Sequence, residues 1–202
     1  MTDNTYEDVL KYWFGRVELT IVPSERRSRI WFGDDPIIDE EMTKSFGDVL
    51  NNAALGKYKS WHNSSRGQLA MVLLYDQFSR HIYRGQAQSY AYDKAALDVV
   101  LNGIDQESDH ELSLIERVFY YFPLLHSESL SYQETASRAY EILSELAFNE
   151  THVIYDSFLK FARHHHMLIT RFGRFPQRNS ALGRESTLEE KDYLQSLGML
   201  EE

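Results

Sequence analysis

The stretch RFGRFPQRNSALGR, residues 171–184, has the residue types for binding an anion. It holds four arginines and no acid, in a chain whose formal net charge is -10. Guanidinium groups make forked hydrogen bonds to carboxylate or phosphate. They could bind an anionic ligand, or pair with the protein's own acids, such as Asp76, Glu116 and Glu128, and fix the loop. The candidate ligand-binding residues are Arg80, Arg171, Arg174, Arg178, Asn179 and Arg184.

Four side chains are candidates for proton transfer: Asp76, His126, Glu128 and His165. Asp76 lies in an apolar segment, where burial is expected and where Arg80, four residues on, could pair with it. His126 and Glu128 form the motif HSE, and His165 alone of the run HHH falls on the apolar stripe of its predicted helix. A structural ion pair, a carboxylate near a helix N-terminus and a satisfied core histidine are the alternative interpretations.

These four residues also offer the oxygen and nitrogen ligands that suit zinc, iron or manganese. A metal-dependent hydrolase is therefore one alternative function. The nearby arginines and the lack of an HExxH motif argue against it, and we predict no metal site. The sequence has no cysteine and no GxSxG motif, so nucleophilic catalysis has little support. No cofactor is indicated.

The amino-acid composition limits the kinds of partner that the protein is expected to bind. The chain carries 31 acids against 21 bases, and a surface of that balance repels nucleic acid. No apolar run approaches the ~18 residues of a membrane helix, and the N-terminus lacks a signal-peptide core. We expect a soluble, cytoplasmic protein that forms a single domain over residues 1–202. Its core should span about 12–194, with a short tail at 195–202.

Helical periodicity recurs along the whole chain, whereas alternating strand patterns are missing. Thr5 or Asn4 can cap the first helix, Pro36 suits the first turn of the third, and Gly15 and Gly103 are predicted helix stops. Pro123 is predicted to close the sixth helix, and Ser186 with Glu189 has capping-box spacing. The fold class is therefore all-α, with antiparallel helix pairs in a bundle or helical array of about nine helices. The predicted helices are about 5–14, 23–32, 36–55, 64–82, 87–102, 111–122, 131–148 and 151–171, and one after Ser186.

Three motifs, DQFSRHIYRG, HSE and RFGRFPQRNSALGRESTLEE, resemble in this order the bacterial domain-of-unknown-function family numbered 924. The similarity runs from about Tyr12 to Leu194. It implies an all-α, TPR-like structure and no established activity. Ser79 and Gln177 depart from the family pattern, which has Pro and His there, so a mechanism that needs a histidine at 177 is not expected. The matching positions are Asp76, Gln77, Phe78, Arg80, Tyr83, Arg84, His126, Ser127, Glu128, His165, Arg171, Gly173, Arg174, Phe175, Arg178, Asn179, Gly183 and Arg184.

We therefore expect a pocket of Arg, His and Glu side chains that binds a small ligand bearing phosphate or carboxylate, and whether it is an enzyme is left open. The second function is a protein or peptide interaction module, in which the arginine loop is structural. Trp13, Trp31 and Trp61 are its candidate contact residues.

Overall fold

A computed structural model describes residues 5–16, 25–148 and 150–199. All regular secondary structure within these ranges is helical, which confirms the all-α prediction. The α-helices are α1 Tyr6–Phe14, α2 Glu25–Phe32, α3 Pro36–Ala54, α4 Ser65–Val72, α5 Ser79–Ile82, α6 Asp93–Asp105, α7 Leu114–Tyr120, α8 Phe122–His126, α9 Leu130–Leu146, α10 His152–Phe172 and α11 Leu188–Ser196. Short 3-10 helices cover Lys59–Asn63, Ala87–Tyr90, Ser108–Glu111 and Pro176–Arg178.

Two pairs of these helices are nearly continuous. A π-helical turn, Leu73–Phe78, joins α4 directly to α5, and only Tyr121 separates α7 from α8. Counted as one helix each, they leave nine helices in the described part of the chain, as predicted. The second helix was predicted to begin at Pro23, which lies outside the described residues.

Several helix ends follow from local chemistry as predicted. The backbone N–H of Thr5 donates to Asp8 at 2.8 Å in a capping box that begins α1. Gly15 ends that helix with φ 71°, a conformation that side chains with a Cβ disfavour. Pro36 occupies the first turn of α3, where the missing N–H costs no hydrogen bond.

Three predicted helix ends are wrong. Helix α6 continues past Gly103 to Asp105, because this glycine is needed for packing: a Cβ there would lie 1.8 Å from the hydroxyl of Tyr120. Pro123 lies in the first turn of α8, so it begins a helix and does not close one. The last capping box is formed by Thr187 with Glu190, one residue later than predicted.

Aromatic rings fill the main core. Trp13 is fully buried and packs against Phe78 and Phe119, with ring centroids 5.6 and 5.4 Å away. Trp31 and Trp61 are also buried, so the three candidate tryptophans are core residues and not surface contacts. Within the described ranges, no helix combines the length and the apolar character that a membrane crossing needs.

A second, smaller cluster of buried side chains lies where the arginine stretch meets α10. Leu168 and Ile169 of α10 pack there with Phe175, which is fully buried. Gly173 ends α10 in the left-handed conformation with φ 68°, and Pro176 opens the next 3-10 turn. Residues 173–176 therefore fold back onto the helix before them.

Candidate functional site

Asp76 is the centre of the site. Its side chain is fully buried in the π-helical turn, where the N–H of Ser79 reaches back five residues to the carbonyl of Leu74. The Nδ1 atom of His126 lies 2.7 Å from one carboxylate oxygen, and Gln77 donates to the other at 2.5 Å. The predicted Asp76–Arg80 pair is confirmed, with 3.2 Å between nitrogen and oxygen.

Asp93, at the start of α6, extends this network to the arginine stretch. Its two carboxylate oxygens lie 3.0 Å from Arg80 and 3.3 Å from Arg178. Both guanidinium groups also lie near the ring of Tyr90, at 5.2 and 4.9 Å from its centroid. We call Asp76, Arg80, Asp93, His126 and Arg178 the charged centre, because two carboxylates there face two guanidinium groups around one histidine.

The charges fix the protonation of the histidine in this centre. Burial raises the pKa of Asp76, but His126 and Arg80 outweigh it and hold that pKa well below its usual range. Burial lowers the pKa of His126, and the positive charges of Arg80 and Arg178 lower it further, although Asp76 opposes them. At neutral pH the ring is therefore neutral. Because an ionised carboxylate only accepts, Nδ1 carries the hydrogen that His126 shares with Asp76.

The other loop arginines form a second network. Arg184 makes a bidentate pair with Glu128, at 2.7 and 3.1 Å, and Glu128 also accepts the N–H of Phe175 at 2.8 Å. Arg174 makes a bidentate pair with Glu190 of α11, at 2.6 and 2.8 Å. Bidentate pairs of this kind hold both partners in one orientation.

Asn179 ties the two ion pairs together and is almost fully buried. Its oxygen accepts from Arg184 at 2.9 Å, and its nitrogen donates to Glu190 at 3.3 Å. We call Arg174, Asn179, Arg184, Glu128 and Glu190 the loop lock, because together they fasten residues 173–187 to α11 and to the segment before α9. The loop lock thereby holds Arg178 in its place within the charged centre.

Two of the three acids expected to pair with the arginine stretch, Asp76 and Glu116, pair with arginines elsewhere in the chain. Glu128 faces a loop arginine as expected, but Glu116 does not: it pairs with Arg66 at 2.6 Å and caps α7 through Ser113. Arg171 lies apart from both networks, in a surface pair with Glu189 in which both side chains are about half exposed.

His165 faces inward, as its position on the helix predicted, while His164 is exposed. Its Nδ1 atom lies 2.9 Å from the carbonyl oxygen of Phe161, and its ring lies 5.3 Å from that of Phe175. Burial lowers the pKa of His165 to about 3, so the ring is neutral. It packs between the charged centre and the small cluster of α10.

Two clefts reach the charged centre from the surface, and His126 lines both. The first, which we call the aromatic cleft, has a volume of about 220 Å³. It is lined by Trp31, Phe32, Gly33, Gln77, Arg80, His81, Arg84, Phe122, His126 and Phe161. The second has a volume of about 270 Å³ and is lined by Asp93, Lys94, Leu97, Pro123, His126, Ser127, Glu128 and Arg178.

Sequence reasoning missed a second Asp–His–Arg group at the aromatic cleft. Asp39 accepts from Arg84 at 2.5 and 2.8 Å, and its other contact is His81, whose Nδ1 atom is 2.7 Å away. Burial lowers the pKa of His81 despite this carboxylate. One signal was available, because Gln77, Arg80, His81 and Arg84 recur at helical spacing and so form one polar stripe.

The candidate metal ligands do not gather. Within the ranges that the structure describes, no three His, Asp or Glu side chains come together in a way that could hold a metal ion. Asp76 and His126 are in contact, whereas Glu128 is engaged with Arg184 and the backbone of Phe175.

The helical fold and the position of these motifs can be compared with known proteins. The chain matches the family described as bacterial protein of unknown function (DUF924) over residues 9–198, and it belongs to that family. It is similar to the solved structure of a protein of unknown function from Agrobacterium tumefaciens, with 31% identity and a TM-score of 0.77. The match covers 95% of this chain and 97% of that one. No match was found among curated proteins.

Proposed function

We propose that the protein binds a small molecule bearing a carboxylate or phosphate in the aromatic cleft. The observation that carries this proposal is the cleft's lining, which combines two arginines with aromatic rings and, among the described residues, includes no carboxylate. Guanidinium groups recognise such anions through paired N–H donors. The rings suit an apolar or planar remainder of the ligand.

Both arginines retain donors that the protein does not use. Arg84 uses its Nε and one terminal nitrogen for Asp39, Asp34, His81 and the carbonyl of Gly33. Arg80 uses its two terminal nitrogens for Asp76, Asp93 and the carbonyl of Ser89. The Nη1 group of Arg84 and the Nε of Arg80 have no acceptor among the described residues. A bound anion can accept from them without breaking these ion pairs.

The size of the cleft limits the ligand. At about 220 Å³ it is smaller than the pockets of drug-sized ligands, which begin at roughly 300 Å³. Small organic acids or phosphate esters fit that volume, whereas a dinucleotide does not. The lock residues would act indirectly in this proposal, because Arg174, Arg184 and Asn179 are engaged with groups of the chain itself.

Calorimetry at low ionic strength tests the proposal, with inorganic phosphate, acetate, benzoate and phenyl phosphate as probes. We expect Arg84→Gln to weaken the best anion by about tenfold or more, since losing a charged hydrogen bond costs about 1.5–3 kcal/mol. Arg163→Gln is the matched control, because Arg163 pairs with Glu141 in an exposed position on α10. Wild-type protein that binds none of these anions would contradict the proposal, as would equal affinities in the two variants.

The protein-interaction alternative has one observation in its favour. Leu146, Phe148 and Val153, around the connection from α9 to α10, are 50%, 83% and 73% exposed. On this alternative, Phe148→Ser would weaken association with a partner while Arg84→Gln would leave it unchanged. The metal-dependent hydrolase has no comparable support in the described residues.

A further inference from the structure

We propose that the aromatic cleft selects anions that also carry a hydroxyl group, and that the Nε2 atom of His126 accepts the hydrogen of that hydroxyl. This inference rests on the proposed function, because it names the class of ligand for the same cleft. The expected ligands are small hydroxylated carboxylates or phosphate esters, with the anionic group on the arginines and the hydroxyl on the histidine.

The tautomer of His126 is the first step. Nδ1 lies 2.7 and 2.9 Å from the two oxygens of Asp76, so the hydrogen of the neutral ring is on Nδ1. Gln77 and Arg80 supply further hydrogen bonds to the same carboxylate and keep it ionised. Nε2 is left with a lone pair and is therefore an acceptor.

The second step is that the described residues leave the Nε2 atom of His126 without a hydrogen bond. Nε2 of His126 has no hydrogen-bond partner among the described residues, and it is not one of the atoms sealed from solvent. The histidine lines the aromatic cleft together with Gln77, whose nitrogen donates to Asp76 and whose oxygen likewise lacks a partner in the described ranges. The cleft thus offers two acceptors beside two arginine donors.

His81 of the same cleft differs in this respect. Its Nδ1 contacts Asp39 and Arg84, and the ring is also bonded to the backbone of Ile30. It has no comparable free acceptor, although it too is paired with a carboxylate. The contrast assigns ligand contact to His126 and a structural role to His81.

The positive charges of the two arginines determine which kind of hydrogen-bond donor the ligand can carry. An ammonium group would be repelled by Arg80 and Arg84, whereas a hydroxyl is neutral and can donate to Nε2. A site built to bind a hydroxyl rejects the analogue that lacks it, because its own polar group is left unpaired.

Matched ligands test the inference by calorimetry: mandelate against phenylacetate, and glycerol 3-phosphate against propyl phosphate. Of the two hydroxylated ligands, we consider the one that binds the wild-type protein more tightly. We expect it to bind at least tenfold more tightly than the matched ligand without a hydroxyl. His126→Asn keeps a donor to Asp76 but has no acceptor at the Nε2 position. We expect this variant to bind both members of a pair equally, each as tightly as the wild-type protein binds the ligand without a hydroxyl. His164→Asn, at an exposed position, should behave as wild type.

The outcomes separate the two proposals. If wild-type protein binds none of the four anions, the proposed function fails and this inference fails with it. If it binds anions without preferring the hydroxyl, or if the preference persists in His126→Asn, only this inference is overturned.

A second measurement needs no variant at the site. In protein labelled with ¹⁵N-histidine, we expect the Nε2 resonance of His126 to have the shift of an unprotonated nitrogen and to move on addition of mandelate but not of phenylacetate. A protonated Nε2 in the free protein would overturn the assignment of the acceptor.

Discussion

At the scale of the residue, the carboxylate of Asp76 helps to balance the charges of two arginines, only one of which it contacts. It is fully buried beside Arg80 and His126, and Arg80 in turn shares Asp93 with Arg178. Neutralising Asp76 leaves two guanidinium groups facing one carboxylate in a poorly hydrated place. The stability of this region therefore depends on one carboxyl group.

We expect Asp76→Asn to lower the free energy of unfolding by about 3 kcal/mol, because removing one partner of a buried ion pair leaves the other charge uncompensated. Urea denaturation followed by circular dichroism measures it. Asp98→Asn is the matched control: Asp98 pairs with Lys94 on the exposed side of α6, and we expect a change within about 0.5 kcal/mol. A loss for Asp76→Asn no larger than the control's would show that the charged centre does not need this carboxylate.

Residue patterns predicted part of this centre. The burial of Asp76, its pair with Arg80 and the inward face of His165 all follow from helical spacing, which is a local property. Asp93 was missed because an acid in the first turn of a helix is ordinary and gives no signal. Its contact with Arg178, 85 positions along the chain, depends on how helices pack, and one sequence does not encode that in any short pattern.

At the scale of the element, the segment from Gly173 to Thr187 is held by side chains more than by regular structure. The carboxylate of Glu128 accepts hydrogen bonds from both Arg184 and the N–H of Phe175. We expect Glu128→Gln to make trypsin cut after Arg174, Arg178 or Arg184 several times faster, because local opening of the loop becomes easier. Glu141→Gln, which disturbs the exposed pair with Arg163, is the control and should not change the cleavage rate. Equal resistance of both variants would contradict a locking role for Glu128.

The other end of the lock should respond to acid. Hydrogen bonds from Arg174 lower the pKa of Glu190 to about 2, from an ordinary value of 4.5. A carboxylate with a depressed pKa in the folded state contributes stability that is fully present above about pH 4.5 and is lost as the pH falls toward about 2. We expect the difference in Tm between wild type and Glu190→Gln to be constant from pH 5.5 to 7.5 and to shrink below pH 4.5. A difference that grows in acid would contradict this assignment.

Some helix ends are determined by the residues at the end itself, and others by packing against a neighbouring helix. Thr5, Gly15 and Pro36 act through their own backbone, so the sequence alone placed them. Gly103 and Pro123 were misplaced, because a glycine or a proline near a predicted helix end can serve packing or initiation as well as termination. Which of these applies depends on the neighbouring helix.

At the scale of the whole molecule, two glycines within helices provide a test of how closely the helices pack. A Cβ on Gly103 of α6 would meet Tyr120 at 1.8 Å and Gln68 at 2.6 Å, whereas a Cβ on Gly47 of α3 would meet nothing within 4 Å. We expect Gly103→Ala to destabilise by about 1–3 kcal/mol through overpacking. Gly47→Ala should stabilise by up to about 1 kcal/mol through helix propensity. Thermal unfolding of the two variants measures both, and a stabilised Gly103→Ala would contradict the close packing of α6.

The all-α class could be predicted from the sequence because periodicity is repeated in every segment. The aromatic cleft could not, because its walls come from α2, α5, α8 and α10 together with the π-helical turn. No single segment carries a sign that its side chains will meet those of the others. The predicted ligand site was therefore centred on the arginine stretch, whereas no residue of that stretch lines the cleft that we propose.

The π-helical turn also bears on how the chain tolerates changes in length. Such a turn holds about one residue more than an α-helical turn, so it sets the phase of α5 against that of α4. Deleting one residue between Leu73 and Phe78 would remove that extra residue and leave an ordinary α-helical turn, with Arg80, His81 and Arg84 still facing the cleft. Deleting one residue within α4 would instead turn everything that follows it by about 100° about the helix axis, because an α-helical turn has no residue to spare. A lost codon is therefore tolerated better at the π-helical turn than in the helix before it.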